Sequence, residues 1–195
     1  LYVVERLHEA FMINEEISSK TTNKLFKYIS DRGDKDINIT IDSDGGDIES
    51  ALCMYDILRS LPEKQSIFTI VLGKCYSATN IIFCASQENR MAFENSSFMI
   101  HNIMTSFELE DVGKIYSAVK HTLSIQERMY DIIGSCMTVN PRTFVKNNDE
   151  WYMDGKSASK YKYAKVICQG LEDVKEDNKE IIMAQYPIPR PRNVN

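Results

Sequence analysis

The segment Ile67-Phe68-Thr69-Ile70-Val71-Leu72 has almost no side chain to turn toward water. A strand of that kind is covered on both faces, as in a parallel sheet that lies between helices. The next residues, GKCYSATN (73–80), read as a polar turn, and a second apolar run, Ile81-Ile82-Phe83-Cys84-Ala85, follows at once. Strand, turn and buried helix therefore come in direct succession, with Ser77 in the turn. Upstream, Ile37, Ile39 and Ile41 alternate in INITIDS, the turn DGG breaks the chain, and Ile48, Ala51, Leu52, Tyr55 and Leu58 recur at helical spacing before Pro62. Residues 18–30 begin with capping serines and carry Leu25, Phe26 and Ile29 on a helical stripe. Short strands are expected at 91–93 and 98–100. This alternation predicts an α/β domain with a mostly parallel sheet.

The second half starts with a long helix from Glu108 to Ile133. Its stripe is Val112, Ile115, Tyr116, Val119, Leu123 and Tyr130, and Gly134 is its expected stop. At about twice the mean helix length, it is long enough to project and meet another subunit. Asn140-Pro141 announces a further helix, with an N-cap followed by proline at the first position. Trp151-Tyr152-Met153 reads as an apolar anchor for a loop. From 171 the chain turns charged and closes in YPIPRPRNVN, an extended tail.

A formal charge of −5 argues against nucleic acid as a partner, since phosphate binding wants a basic face. No run of 18 apolar residues is present, so no membrane helix is expected, and LYVVERLHEA has no signal-peptide pattern. Five cysteines without a C-x-x-C pair read as reduced thiols, which suits the cytoplasm. Three histidines and no H-E-x-x-H motif leave no expected catalytic metal.

The polar residues at the strand ends each have two readings. IDSDGGDI is a tight turn before a helix, or a place where backbone approaches a ligand closely. Ser77 is an N-cap, or a hydroxyl exposed between strand and helix, although GKCYSAT is not the G-x-S-x-G elbow. His101, after Phe98-Met99-Ile100, is a structural histidine or a base. His8 and His121 look exposed and receive no role. Asp149 in NNDEWYMD competes with Asp154, and either aspartate could simply cap a turn.

Taken in order, these segments resemble the ClpP family of serine peptidases, the proteolytic subunit of the caseinolytic protease. The resemblance runs over about residues 7–168, through FMINEEIS, INITIDSDGG, Tyr55-Asp56, IVLGKCYSAT, ENSSFMIH, the long helix and NNDEWYMD. It implies a crotonase-like fold of repeated βα units over 1–170, a protruding handle helix at about 108–133, and a separate tail at 171–195. Carried over by residue, it makes Ser77 the nucleophile, His101 the general base and Asp149 the group that orients His101. Gly46 and Ala78 would supply the oxyanion-hole N–H groups, and an extended substrate would pair with Asp47, Ile48, Asn102 and Ile103. It further implies heptameric rings stacked as a tetradecamer, an AAA+ Clp unfoldase as partner, unfolded polypeptides and short peptides as substrates, and no cofactor.

The chain departs from the family's pattern at Asp44 (usually proline), at Ala78-Thr79 (usually Met-Gly) and at Asn148 (often arginine). Three other readings compete with an active peptidase. One is a catalytically silent, ring-forming regulatory subunit; another is an acyl-CoA hydratase or isomerase on the same fold. The last is Cys75 as nucleophile, for which Lys74 and Tyr76 provide no thiolate-stabilising reason.

Overall fold

The apolar run at 67–72 forms the central strand of a sheet that has seven strands among the described residues. The structure, a computed structural model, describes residues 6–106, 111–145 and 149–167. β1 (Phe11–Ile13), β2 (Ile37–Ser43), β3 (Ile67–Tyr76), β4 (Arg90–Phe93) and β7 (Lys165–Ile167) lie side by side and parallel. β5 (Ser97–Ile100) runs parallel to the far half of β3, and β6 (Trp151–Asp154) pairs antiparallel with β5. The helices are α1 (Ser19–Arg32), α2 (Ile48–Arg59), α3 (Thr79–Phe83), α4 (Val112–Ser135) and α5 (Gly155–Lys160). The expected α/β architecture with a mostly parallel sheet is what the chain adopts.

Both faces of the central strands are covered. In β2 not only Ile37, Ile39 and Ile41 but also Asn38 and Thr40 are buried, as are Phe68 to Val71 in β3. All five residues of α3 are buried as well, so its apolar sequence reflects burial on every side.

Several expectations need correction. The polar turn at 73–80 shrinks to Ser77-Ala78, because Lys74, Cys75 and Tyr76 pair with Ser97, Phe98 and Met99 and prolong β3. On α1 Leu25 is buried but Phe26 is 63% exposed, so the buried stripe is narrower than its spacing implied. α4 starts at Val112, capped by Asp111, whose carboxylate accepts the N–H groups of Gly113 (2.6 Å) and Lys114 (3.2 Å). Glu108 and Glu110 lie outside the described residues. Gly134 falls inside α4 and does not end it; it lies against the Pro141 ring. Asn140-Pro141 opens a single 3₁₀ turn, Pro141–Thr143, in place of a longer helix. The chain has to leave that turn, since Phe144 stacks on Trp151 with ring centres 4.2 Å apart. The apolar anchor at 151–153 is itself strand β6, followed by α5 and β7, which the sequence reading did not anticipate.

Because β2, β3 and β5 are parallel, their carboxyl ends share one edge of the sheet. That edge receives Gly45-Gly46, Ser77 and His101. In open parallel α/β sheets this is where ligands bind.

Candidate active site

β3 delivers Ser77 in a left-handed conformation, with φ of +53°, which is uncommon for a residue with a side chain. Its N–H donates to the Met99 carbonyl at 2.8 Å, fixing the turn to β5. Its Oγ lies 2.7 Å from His101 Nε2. The hydroxyl therefore does not cap α3; the residue flanking that helix is Ala78, which makes no side-chain cap.

The turn after β2 explains why two glycines stand there. Gly45 has φ of +110°, and a Cβ on it would come within 2.7 Å of Ser77 Cβ. Gly46 has φ of +141°, and a Cβ there would meet the Ile17 backbone at 2.5 Å. Ile17 N–H donates to Gly45 O and Asp47 N–H donates to Ile17 O, both at 2.8 Å. This bridge leaves the Gly46 N–H unused. Among the described residues neither the Gly46 nor the Ala78 N–H is donated to a protein acceptor.

His101 follows β5. Burial pushes its pKa below the ordinary 6.5, and the negative charge of Glu150 pulls it partly back. The imidazole is therefore neutral at pH 7. With Nε2 accepting from the Ser77 hydroxyl, the ring proton sits on Nδ1. Among the described residues no hydrogen bond joins Asp149 to His101, and Asp149 is exposed ahead of β6. The competing Asp154 has a capping duty, accepting the Ser157 N–H at 2.7 Å.

A cavity of about 410 Å³ opens over this pair. Ile48, Ile125 and Met129 give it apolar walls, while Glu49 and His121 stand at its rim with Oε1 and Nε2 3.4 Å apart. Asp47, Ile48, Asn102 and Ile103 all line it. Two of their donors are already engaged: the Asp47 N–H by Ile17, and the Ile103 N–H by Gln126 Oε1 at 2.9 Å. Tyr130 donates to Asn102 Oδ1 at 2.7 Å, so α4 braces this wall from behind.

Two residues near Ser77 escaped the sequence reading. Asn80 is fully buried, and its Nδ2 lies within 3.0 Å of Cys75 O, 3.1 Å of Ser77 O and 2.9 Å of Met99 O. Its Oδ1 accepts from the buried Tyr163 hydroxyl at 3.0 Å. The signal was present, since an amide inside the otherwise apolar run Ile81–Ala85 and its approach has to find partners. Cys75 lies nearby but is fully buried, and burial pushes its thiol up to about 12, which removes it as a nucleophile.

A mostly parallel α/β domain with a serine on a left-handed turn, beside a neutral histidine at the carboxyl edge of its sheet, is the class these features define. The chain belongs to the Clp protease family, whose model matches residues 3–170. It is 26% identical over 166 residues to the ATP-dependent Clp protease proteolytic subunit 2 of Treponema denticola, covering 84% of this chain and 82% of that protein. It is also 25% identical over 163 residues to an ATP-dependent Clp protease proteolytic subunit of Dehalococcoides mccartyi, covering 83% and 80%. Among the described residues no helix is long and apolar enough to cross a membrane.

Proposed function

We propose that this chain is a serine endopeptidase subunit of a Clp-type protease. The observation that carries the reading is the 2.7 Å contact between Ser77 Oγ and His101 Nε2, with the free Gly46 and Ala78 N–H groups in the same cavity. Ser77 Oγ attacks the scissile carbonyl carbon as His101 Nε2 takes the hydroxyl proton. The carbonyl oxygen, now an oxyanion, receives the Gly46 and Ala78 N–H groups, a type of contact whose loss costs about 10²–10³ in rate. The C–N bond then breaks, and His101 returns its proton to the leaving amine. Water, deprotonated by the same imidazole, releases the acyl group and regenerates Ser77. A carboxylate at 149–150 orients His101; by resemblance it is Asp149.

Subunits of this kind assemble as stacked heptameric rings through α4, enclose their sites and receive unfolded polypeptide from an AAA+ unfoldase in the cytoplasm. The exposed apolar side chains of Val112, Tyr116 and Leu123 support such assembly. A silent, ring-forming subunit is the second reading, favoured by the absence of a hydrogen bond from Asp149 to His101.

Hydrolysis of fluorogenic di- and tripeptides, measured beside Ser77→Ala, tests the choice. Removing such a nucleophile lowers kcat by about 10⁶-fold. Equal rates from the two proteins would end the serine mechanism. A large assembly with no wild-type turnover would favour the silent subunit.

A further inference from the structure

Three networks border the site: the Asn80–Tyr163 clamp, the Glu49–His121 rim pair, and the side chains of β6 that face His101. The last says most about the chemistry. β6 pairs with β5 in the register Met99 to Tyr152 and Ile100 to Trp151. Continued by one residue, that register sets Glu150 opposite His101. Directly opposed residues of an antiparallel pair point to the same face, as do residues two apart on one strand. β5 and β6 themselves end at Ile100 and Trp151; on the continued register Met99, His101, Tyr152 and Glu150 share one face, and Asp149, one position further, falls on the other.

Glu150 is also held in place. Its Oε2 accepts the Tyr152 hydroxyl at 2.7 Å, which leaves Oε1 unclaimed by that bond. The Tyr152 ring in turn stands edge-on to Tyr76, with centres 5.9 Å apart and planes at 89°. Tyr76 donates to Ser97 Oγ at 3.1 Å. A chain of contacts thus runs from the strand that bears Ser77 to the Glu150 carboxylate. On the other side, the His101 tautomer that accepts from Ser77 carries a proton on Nδ1 and needs an acceptor there.

We propose that Glu150, held by Tyr152, is the residue that positions His101. The assignment rests on the serine–histidine reading above and replaces Asp149 in it. Glu150, like Asp149, is exposed and makes no hydrogen bond to His101 in this structure, but its charge reaches the ring. In the proposed role its Oε1 turns to accept the Nδ1 proton, fixes the tautomer that leaves Nε2 free for Ser77, and stabilises the imidazolium formed during attack. Asp47, which caps α2, Glu49 on α2 and His121 on α4 line the same cavity, yet the charge that acts on His101 is that of Glu150. A glutamate reaches one methylene further than an aspartate, which suits a carboxylate on the residue just ahead of β6.

The test reads His101 directly. Carbethoxylation by diethylpyrocarbonate requires a neutral imidazole, and peptide mapping follows it at His101 separately from His8 and His121. In Glu150→Gln the pH midpoint at His101 moves lower by about 1 unit, the size expected for losing one opposite charge within a few ångströms. Asp149→Asn moves it less, and Glu150→Asp holds it nearer the wild-type value than Glu150→Gln does. Peptide hydrolysis on the same samples falls by about 10²- to 10⁴-fold in Glu150→Gln, the upper end being the loss when a buried orienting carboxylate is neutralised. That fall exceeds the one in Asp149→Asn by at least 10-fold. A midpoint that stays put in Glu150→Gln, or moves further in Asp149→Asn, overturns the assignment. A moved midpoint in protein that cleaves no peptide keeps the Glu150–His101 pair and removes the peptidase reading instead.

Discussion

The chemistry proposed at Ser77 depends on an imidazole that is neutral when substrate arrives. Burial lowers the pKa of His101 more than Glu150 raises it, so its folded value lies below 6.5. The protonated ring cannot accept the Ser77 proton, and kcat/KM therefore falls as pH drops through that lowered value. A profile of kcat/KM against pH should have its acid limb centred below 6.5; a limb centred at or above 6.5 would contradict the geometry. Gly45 is the other residue-scale dependence. An added methyl would press on Ser77 Cβ from 2.7 Å in a backbone region that side chains avoid. Displacing a catalytic group by about 1 Å costs roughly 10²-fold. Gly45→Ala should lose about that much kcat in steady-state peptide hydrolysis, with KM little altered.

At the scale of elements, the site is held by a buried amide. Asn80 on α3 reaches backbone carbonyls of β3, of the Ser77 turn and of β5, and Tyr163, near the start of β7, completes its hydrogen bonding. Tyr163→Phe leaves Asn80 Oδ1 buried without its donor, at a cost of about 1–3 kcal/mol. Urea unfolding should show that loss as a lower midpoint at unchanged slope, and a midpoint equal to wild type would mean water replaces the hydroxyl. The elements themselves differed in how far the sequence revealed them. β2, α2 and the first half of β3 carry continuous local patterns and stood out. The second half of β3 did not, because Gly73 and Lys74 look like turn residues until β5 supplies their partners. Nor did β6, α5 and β7, which are short and owe their form to pairing with distant strands. The same limit applied at the site. Ser77, His101 and the two glycines sit at strand ends visible in the sequence. Which carboxylate faces His101 depends on the register of β6 on β5, and no local pattern encodes that register.

In the assembly proposed above, α4 links subunit contact to chemistry. Its C-terminal half buries Ile125, Met129 and Ile133 in the core, and Gln126 and Tyr130 hold the wall of the cleft at Ile103 and Asn102. Its N-terminal half leaves Val112 82%, Tyr116 61% and Leu123 53% exposed in the single chain. Apolar residues aligned on one helix face and left this exposed suit the contact with a neighbouring subunit proposed above. A helix released along half its length gains freedom, and that freedom reaches the wall it braces. Subunit dissociation should therefore weaken peptide cleavage even though Ser77 and His101 belong to one chain. Diluting the protein while recording native mass and kcat/KM on the same samples tests this link. The two should fall together, and Leu123→Asp, which places a charge in this exposed apolar stripe, should move both transitions to higher protein concentration. Full kcat/KM from a species with the mass of one subunit would show that the cleft holds its shape without neighbours and would confine the role of α4 to assembly.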